Sequence, residues 1–213
     1  ALTKEAPEAG WSKPSLEQII HTDEYIWNEA SKQTRGNLRQ TASGAFPLEE
    51  ALRVARDTAA GLREALRQGI VHRDIKPSNL FLHHLPNGEV TLKVCDFGIA
   101  KVLPENMDMT SGLTDTGMTL GTPHYMSPEQ IRGQELDGRS DLYSLGILAY
   151  ELVTGHVPFH SDTLKGLLKQ HLELSIPDPS QLVPDVPTDL KVFITRATAK
   201  EPGQRFRNCE HAA

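Results

Sequence analysis

The residues with the clearest chemical content lie in one stretch, His72-Arg73-Asp74-Ile75-Lys76-Pro77-Ser78-Asn79. Asp96-Phe97-Gly98 begins 17 residues after Asn79. An ionised carboxylate such as Asp74 can accept or orient the proton of an attacking hydroxyl. Lys76, two residues on, can offset negative charge beside it. Asn79 and Asp96 offer a carbonyl and a carboxylate oxygen, the hard ligands magnesium takes beside phosphate and water. Gly98 permits the tight turn that would aim Asp96. Singly these residues are bland, because a lone aspartate is ordinarily a solvated surface group. In this order they suit phosphoryl transfer, where a protein mainly positions groups and stabilises charge.

Positioning them requires the neighbouring elements. Pro47 opens a helix of about twenty residues, with Glu49 and Glu50 at the positive end of its dipole. Leu48, Leu52, Ala55, Ala59, Leu62 and Leu66 form its buried stripe, and Gly69 caps it. Ile70 and Val71 then lead directly into the reactive stretch. Residues 80–82 and 91–95 read as short strands joined by a turn at Pro86-Asn87-Gly88. The second strand points Asp96 back toward Asp74 and Asn79. Residues 99–121 are rich in Thr, Ser, Met, Asp and Gly and lack periodicity, the pattern of a functional or disordered loop. A further helix spans 141–153, apolar on most sides and therefore buried. Shorter amphipathic helices cover 161–174 and 187–199. Toward the N-terminus, residues 1–14 read as an irregular edge, a helix begins at Ser15, and 28–44 is a polar surface insertion. The fold class is α+β, mainly helical.

The ordered set, followed by Ser127-Pro128-Glu129, resembles the eukaryotic-type serine/threonine protein kinases, most closely their bacterial branch. The resemblance covers residues 15–211 as the C-terminal lobe, with a short β-hairpin carrying the reactive groups. It implies transfer of the γ-phosphate of ATP to serine or threonine hydroxyls of proteins, with magnesium or manganese. Asp74, Lys76 and Asn79 then become catalytic, with Thr122 contacting Asp74 and Lys76. Lys76, Asn79, Phe81, Cys95 and Asp96 border the nucleotide, and Asn79 and Asp96 hold the metal. A buried Arg73 pairs with a phosphate on the loop, at Thr114, Thr116 or Thr119, with Thr110 and Ser111 as further acceptors and self-phosphorylation as the source. His72 and Phe97 join the hydrophobic column between lobes. Asp141 opens the buried helix and holds the catalytic-loop backbone. Glu129 and Arg205 pair to fasten the Ser-Pro-Glu segment. Cys95 reads as a small buried hydrophobe.

Composition narrows the alternatives. Lys plus Arg number 22 against 28 Asp plus Glu, a net charge of −6, which argues against a nucleic-acid partner. Cys95 and Cys209 have no metal-ligand spacing and read as reduced thiols of a cytoplasmic chain. No run of residues is apolar enough to span a bilayer, although a full-length protein could be anchored elsewhere. No G-x-G-x-x-G and no Val-Ala-Ile-Lys-like strand precede residue 47. The expectation is therefore a partial kinase domain without its N-terminal lobe, weak toward ATP on its own. Two other readings stand beside it. One is an inactive lobe serving as a binding scaffold. The other is a small-molecule phosphotransferase of the aminoglycoside or choline type, against which Arg73, Lys76, the Thr-rich segment and Ser127-Pro128-Glu129 all speak.

Overall fold

The computed structural model describes residues 45–84, 90–97 and 123–207. The helix at Ser15, the insertion at 28–44, the turn at 86–88, the loop 99–121 and Cys209 lie outside the described residues. The rest is predominantly helical with one two-stranded sheet.

Helix α1 (Leu48–Arg67) starts after Pro47, with Glu49 and Glu50 in its first turn and Arg67 in its last. Its end is a Schellman motif: Gly69 adopts φ 74°, and the N–H groups of Gly69 and Ile70 donate to the carbonyls of Leu66 and Ala65 at 2.9 and 3.0 Å. The buried face differs from the expected stripe. It runs through Ala51, Val54, Ala55, Thr58, Ala59, Leu62 and Ala65, while Leu52 is 39% exposed. Small side chains dominate this face because α1 lies close to its neighbours. A Cβ on Gly61 would sit 2.9 Å from Val94 Cγ2.

Strands β1 (Leu80–His84) and β2 (Val90–Val94) pair antiparallel, Leu80 opposite Val94 and Leu82 opposite Leu92. The ladder continues one step further, since Cys95 N–H donates to Asn79 O at 2.9 Å. The short helix α2 (Pro128–Ile131) carries a capping box: Ser127 Oγ accepts from Gln130 N–H, and Gln130 Oε1 accepts from Ser127 N–H.

Helix α3 (Gly138–Thr154) is the centre of the fold. It starts one turn before the expected Asp141, because Asp137 caps it by accepting from Arg139 N–H at 2.8 Å. Gly155 ends it at φ 77°. Within it only Arg139 and Glu151 escape burial, which explains why its sequence is apolar on most sides. One side packs on α1, the hairpin and α5 (Thr188–Ala197) through Leu142, Leu145, Leu148 and Ala149, with Ile75 and Ile194 at full burial. The other side meets α4 (Leu164–Glu173) through Tyr143, Ile147, Phe159 and Leu167. Gly146 allows α3 and α5 to approach: a Cβ there would lie 2.7 Å from Thr198 Cγ2 and 2.9 Å from Ala197 Cβ. Among the described residues, no helix is long and apolar enough to cross a membrane.

Candidate active site

The reactive stretch leaves the end of α1 and is laid down against the N-terminal turn of α3. Asp141, buried in that turn, accepts from the backbone N–H of His72 at 2.8 Å and of Arg73 at 2.7 Å. Burial pushes its carboxyl up to about 6, against the lowering effect of those two N–H bonds and of the Arg73 charge. Arg73 stands at φ 69°, a left-handed conformation that side chains other than glycine disfavour. It is held there from both sides, because its carbonyl also receives Gln130 Nε2 at 2.7 Å. Strain of this kind persists only where neighbours over-determine it. The Arg73 side chain is exposed, not buried as expected. The two bonds that grip the backbone leave the side chain to point outward.

The peptide then turns so that Asp74 becomes buried. Asp74 N–H donates to His72 Nδ1 at 3.2 Å, and His72 Nε2 lies 2.9 Å from Cys95 O. A backbone N–H only donates and a carbonyl only accepts, so His72 carries its proton on Nε2. One fully buried ring thereby joins the reactive stretch to the residue before Asp96. The His72 ring also lies 4.6 Å from that of Phe97.

Two side chains converge on one carboxylate oxygen. Asp74 Oδ2 accepts from Lys76 Nζ at 2.9 Å and from Asn79 Nδ2 at 3.1 Å. Asn79 Nδ2 also donates to Asp74 O at 2.7 Å, which fixes the amide so that its oxygen faces away from Asp74. The Asp74 and Lys76 side chains are 5% and 15% exposed, so the pair is weakly screened and strongly directional. Asp96 follows Cys95, which is pinned to Asn79 O, and adopts φ 59°. Its side chain is exposed, Cys95 is half-buried rather than buried, and Phe81 is buried in β1. Asn79 and Asp96 thus issue from adjacent ends of one hairpin with a carbonyl and a carboxylate oxygen. That donor set fits magnesium, which takes one or two protein oxygens and completes its shell with phosphate and water. Among the described residues no group of three or more His, Cys, Asp or Glu could hold a metal ion.

Glu129 and Arg205 meet in a buried bidentate pair, Nη1 to Oε1 at 2.6 Å and Nη2 to Oε2 at 2.8 Å. Ser140 Oγ adds a bond to Glu129 Oε1 at 2.7 Å. Burial alone would raise the Glu129 carboxyl, but the Arg205 bonds and charge, with Ser140, hold it below its ordinary value. Gln130 and Ser140 were not among the expected site residues. The Ser127-x-x-Gln130 spacing signals the capping box, yet nothing in it reveals that Gln130 also reaches the Arg73 carbonyl. Gly98, Thr122, Thr114, Thr116 and Thr119 lie outside the described residues.

Comparison with known sequences is consistent with this geometry. The profile described as the protein kinase domain matches residues 15–212. The chain is 39% identical over 178 residues to the serine/threonine-protein kinase pkn3 of Myxococcus xanthus, covering 82% of this chain and 32% of that protein. It is 38% identical over 170 residues to PrkC of Bacillus subtilis, covering 80% of this chain and 25% of that protein. It is also 38% identical over 173 residues to PknL of Mycobacterium tuberculosis, covering 80% and 41%. The chain therefore spans well under half the length of these relatives.

Proposed function

This chain belongs to the protein kinase family, as a serine/threonine kinase domain of the bacterial type, and on that premise we propose that it carries the phosphoryl-transfer half of such an enzyme. The observation that supports this most is the convergence of Lys76 Nζ and Asn79 Nδ2 on Asp74 Oδ2. In this reading residues 15–211 make up the C-terminal lobe, preceded by an edge at 1–14. Asp74 orients the acceptor hydroxyl and receives its proton. Its carboxylate is held in place by the lysine and the carboxamide. Lys76 lies within reach of both Asp74 and the group being transferred, so it can follow the charge as it develops. By the same reading Thr122 would contact Asp74 and Lys76, and Phe81 and Cys95 would border the base.

Asn79 and Asp96 would hold magnesium, which supplies charge neutralisation at the phosphates of ATP. His72 and Asp141 hold the loop in register, Phe97 packs on His72, and Gly98 would permit the turn after Asp96. Glu129 and Arg205 fasten the segment that faces the protein substrate. The exposed Arg73 guanidinium is available to a phosphate on Thr114, Thr116 or Thr119, which would order the loop through charge-assisted bonds. Self-phosphorylation would place it there, and protein serine and threonine side chains are the external acceptors.

The test pairs calorimetry of the chain with magnesium-ATP and a transfer assay from γ-labelled ATP to serine- or threonine-bearing protein. Asp96→Asn is expected to remove the metal-dependent part of nucleotide binding. Asp74→Asn is expected to leave that binding intact and to lower transfer at least a hundredfold, on the order of what a positioned base contributes. Transfer unchanged by Asp74→Asn would refute the assignment.

A further inference from the structure

Gln130 carries no charge and lies outside the reactive stretch, yet both ends of its side-chain amide are committed. Its Oε1 accepts from Ser127 N–H at 2.9 Å, and its Nε2 donates to Arg73 O at 2.7 Å. A backbone N–H only donates and a carbonyl only accepts, so the two bonds fix the amide in one orientation. Ser127 Oγ completes the capping box by accepting from Gln130 N–H at 3.3 Å. The mount is rigid. Glu129, one residue earlier, is locked to Arg205 and Ser140. Ser144 Oγ donates to Tyr125 O at 2.7 Å, in the 3-10 turn Pro123–Tyr125 just ahead. The carbonyl that Gln130 meets is 57 residues away in sequence.

That carbonyl belongs to the peptide unit that carries Asp74. The unit is planar, and its two polar groups are held by different partners. Gln130 Nε2 holds Arg73 O, and His72 Nδ1 accepts from Asp74 N–H at 3.2 Å. Asp141 grips the two units before it, through the N–H groups of His72 and Arg73, and does not bond to this one. The plane of the 73–74 unit is therefore set by Gln130 and His72. Arg73, at φ 69°, keeps its left-handed conformation only while its neighbours over-determine it, so the unit is poised to turn once one grip is lost. Turning it swings the Cα–Cβ bond of Asp74, and with it the carboxylate that meets Lys76 Nζ and Asn79 Nδ2.

We infer that Gln130 is a positioning residue for Asp74: its carboxamide fixes the peptide plane from which the Asp74 carboxylate projects, and ties that plane to the Pro123–Ser127 segment. This role rests on the reading of Asp74 as the group that orients the acceptor hydroxyl. For such a group a misplacement of about 1 Å can cost on the order of a hundredfold in rate. Because the same carboxamide holds Ser127 N–H, a shift of the segment that faces the protein substrate reaches Asp74 through one side chain. The substrate-facing segment and the carboxylate are thereby set together.

Gln130→Glu separates the two bonds. A carboxylate on a side chain of the same length still accepts from Ser127 N–H, and glutamate serves a capping box as well as glutamine does. It brings no hydrogen to Arg73 O and sets two oxygens against each other. Gln130→Met, which loses both bonds, is the second variant. Site-resolved amide exchange on the folded full chain at pH 7.4 is the first readout. In Gln130→Glu the Asp74 amide should exchange roughly tenfold faster, the loosening expected from one lost hydrogen bond. The Ser127 amide and the α3 amides of Leu145 and Leu148 should stay within about twofold of the parent. In Gln130→Met the Asp74 and Ser127 amides should both quicken. The second readout is steady-state transfer from γ-labelled ATP, where Gln130→Glu should lower kcat about tenfold and leave KM for ATP within about twofold. A parent that transfers no phosphate would overturn the role given to Asp74 and leave the exchange pattern to decide the hold of Gln130 on its peptide, so the two failures are told apart. Unchanged exchange at Asp74 in Gln130→Glu overturns the inference. So does a quickening shared equally by the α3 amides, or a KM that rises with kcat unchanged.

Discussion

Arg205 offers a sharp stability prediction because its whole bonding capacity is accounted for. The guanidinium has five N–H donors, and each has a partner. Nη1 and Nη2 meet Glu129 at 2.6 and 2.8 Å, and their second hydrogens reach the carbonyls of Arg139 and Lys200 at 2.8 and 3.1 Å. Nε donates to Ala199 O at 2.8 Å. The Arg205 and Glu129 side chains are 0% and 4% exposed, so water cannot replace a lost partner. Arg205→Met leaves a buried carboxylate to which Ser140 Oγ still donates, and should destabilise the chain by about 3–5 kcal/mol. Arg205→Lys keeps the charge but has only three donors at one point. At least two acceptors then go unmet, for a loss of about 2–3 kcal/mol. Glu129→Leu combined with Arg205→Met removes both charges and should recover most of the loss.

Urea unfolding followed by circular dichroism reads all three. The pH dependence gives a second check. Glu129 has a lowered carboxyl in the fold, so its contribution is present above the unfolded value of 4.5. It is lost as pH falls through the lower folded value. The gap between parent and Arg205→Met should therefore narrow in acid. An Arg205→Met variant within about 1 kcal/mol of the parent at pH 7 would refute the reasoning.

Three further outcomes follow from the packing and the titrating groups. Gly146→Ala drives a methyl against Thr198 Cγ2 and Ala197 Cβ, at 2.7 and 2.9 Å, and should cost about 1–3 kcal/mol in the same urea assay. His171 is neutral in the fold with its imidazole lowered from 6.5 to about 3, so the unfolded chain binds the extra proton and stability falls as pH drops below 6.5. Between pH 6.5 and 4.5 the parent should lose about 2 kcal/mol that His171→Gln does not, and parallel curves would count against this. Asp141 titrates with the opposite sign. Its carboxyl is raised to about 6, so its protonation favours the fold globally while weakening the bonds to His72 and Arg73. Hydrogen exchange at those two amides, corrected for intrinsic rate, should quicken as pH falls through 6, and Asp141→Asn should remove that step.

Much of this protein is determined by local order in the sequence. The order of Asp74, Lys76, Asn79 and Asp96, with Ser127-Pro128-Glu129 after them, named a chemistry through its resemblance to the kinase signature. Helix α1 was legible at both ends, since a proline at its start and a glycine at φ 74° past its end act within one turn of the chain. The buried face of α1 was less legible. Alanine and threonine carry weak hydrophobic signals, and the reason they are buried is the close approach of α3 and β2, which involves residues far along the chain. The exposure of Arg73 was also undetermined. It depends on Asp141 and Gln130, 68 and 57 residues away, gripping its N–H and carbonyl from opposite sides. The same holds for Lys200, an ordinary lysine in sequence. Only the folded packing puts Tyr143 and Phe159 beneath its amine, because aromatic contact belongs to the assembled core and not to any stretch of chain.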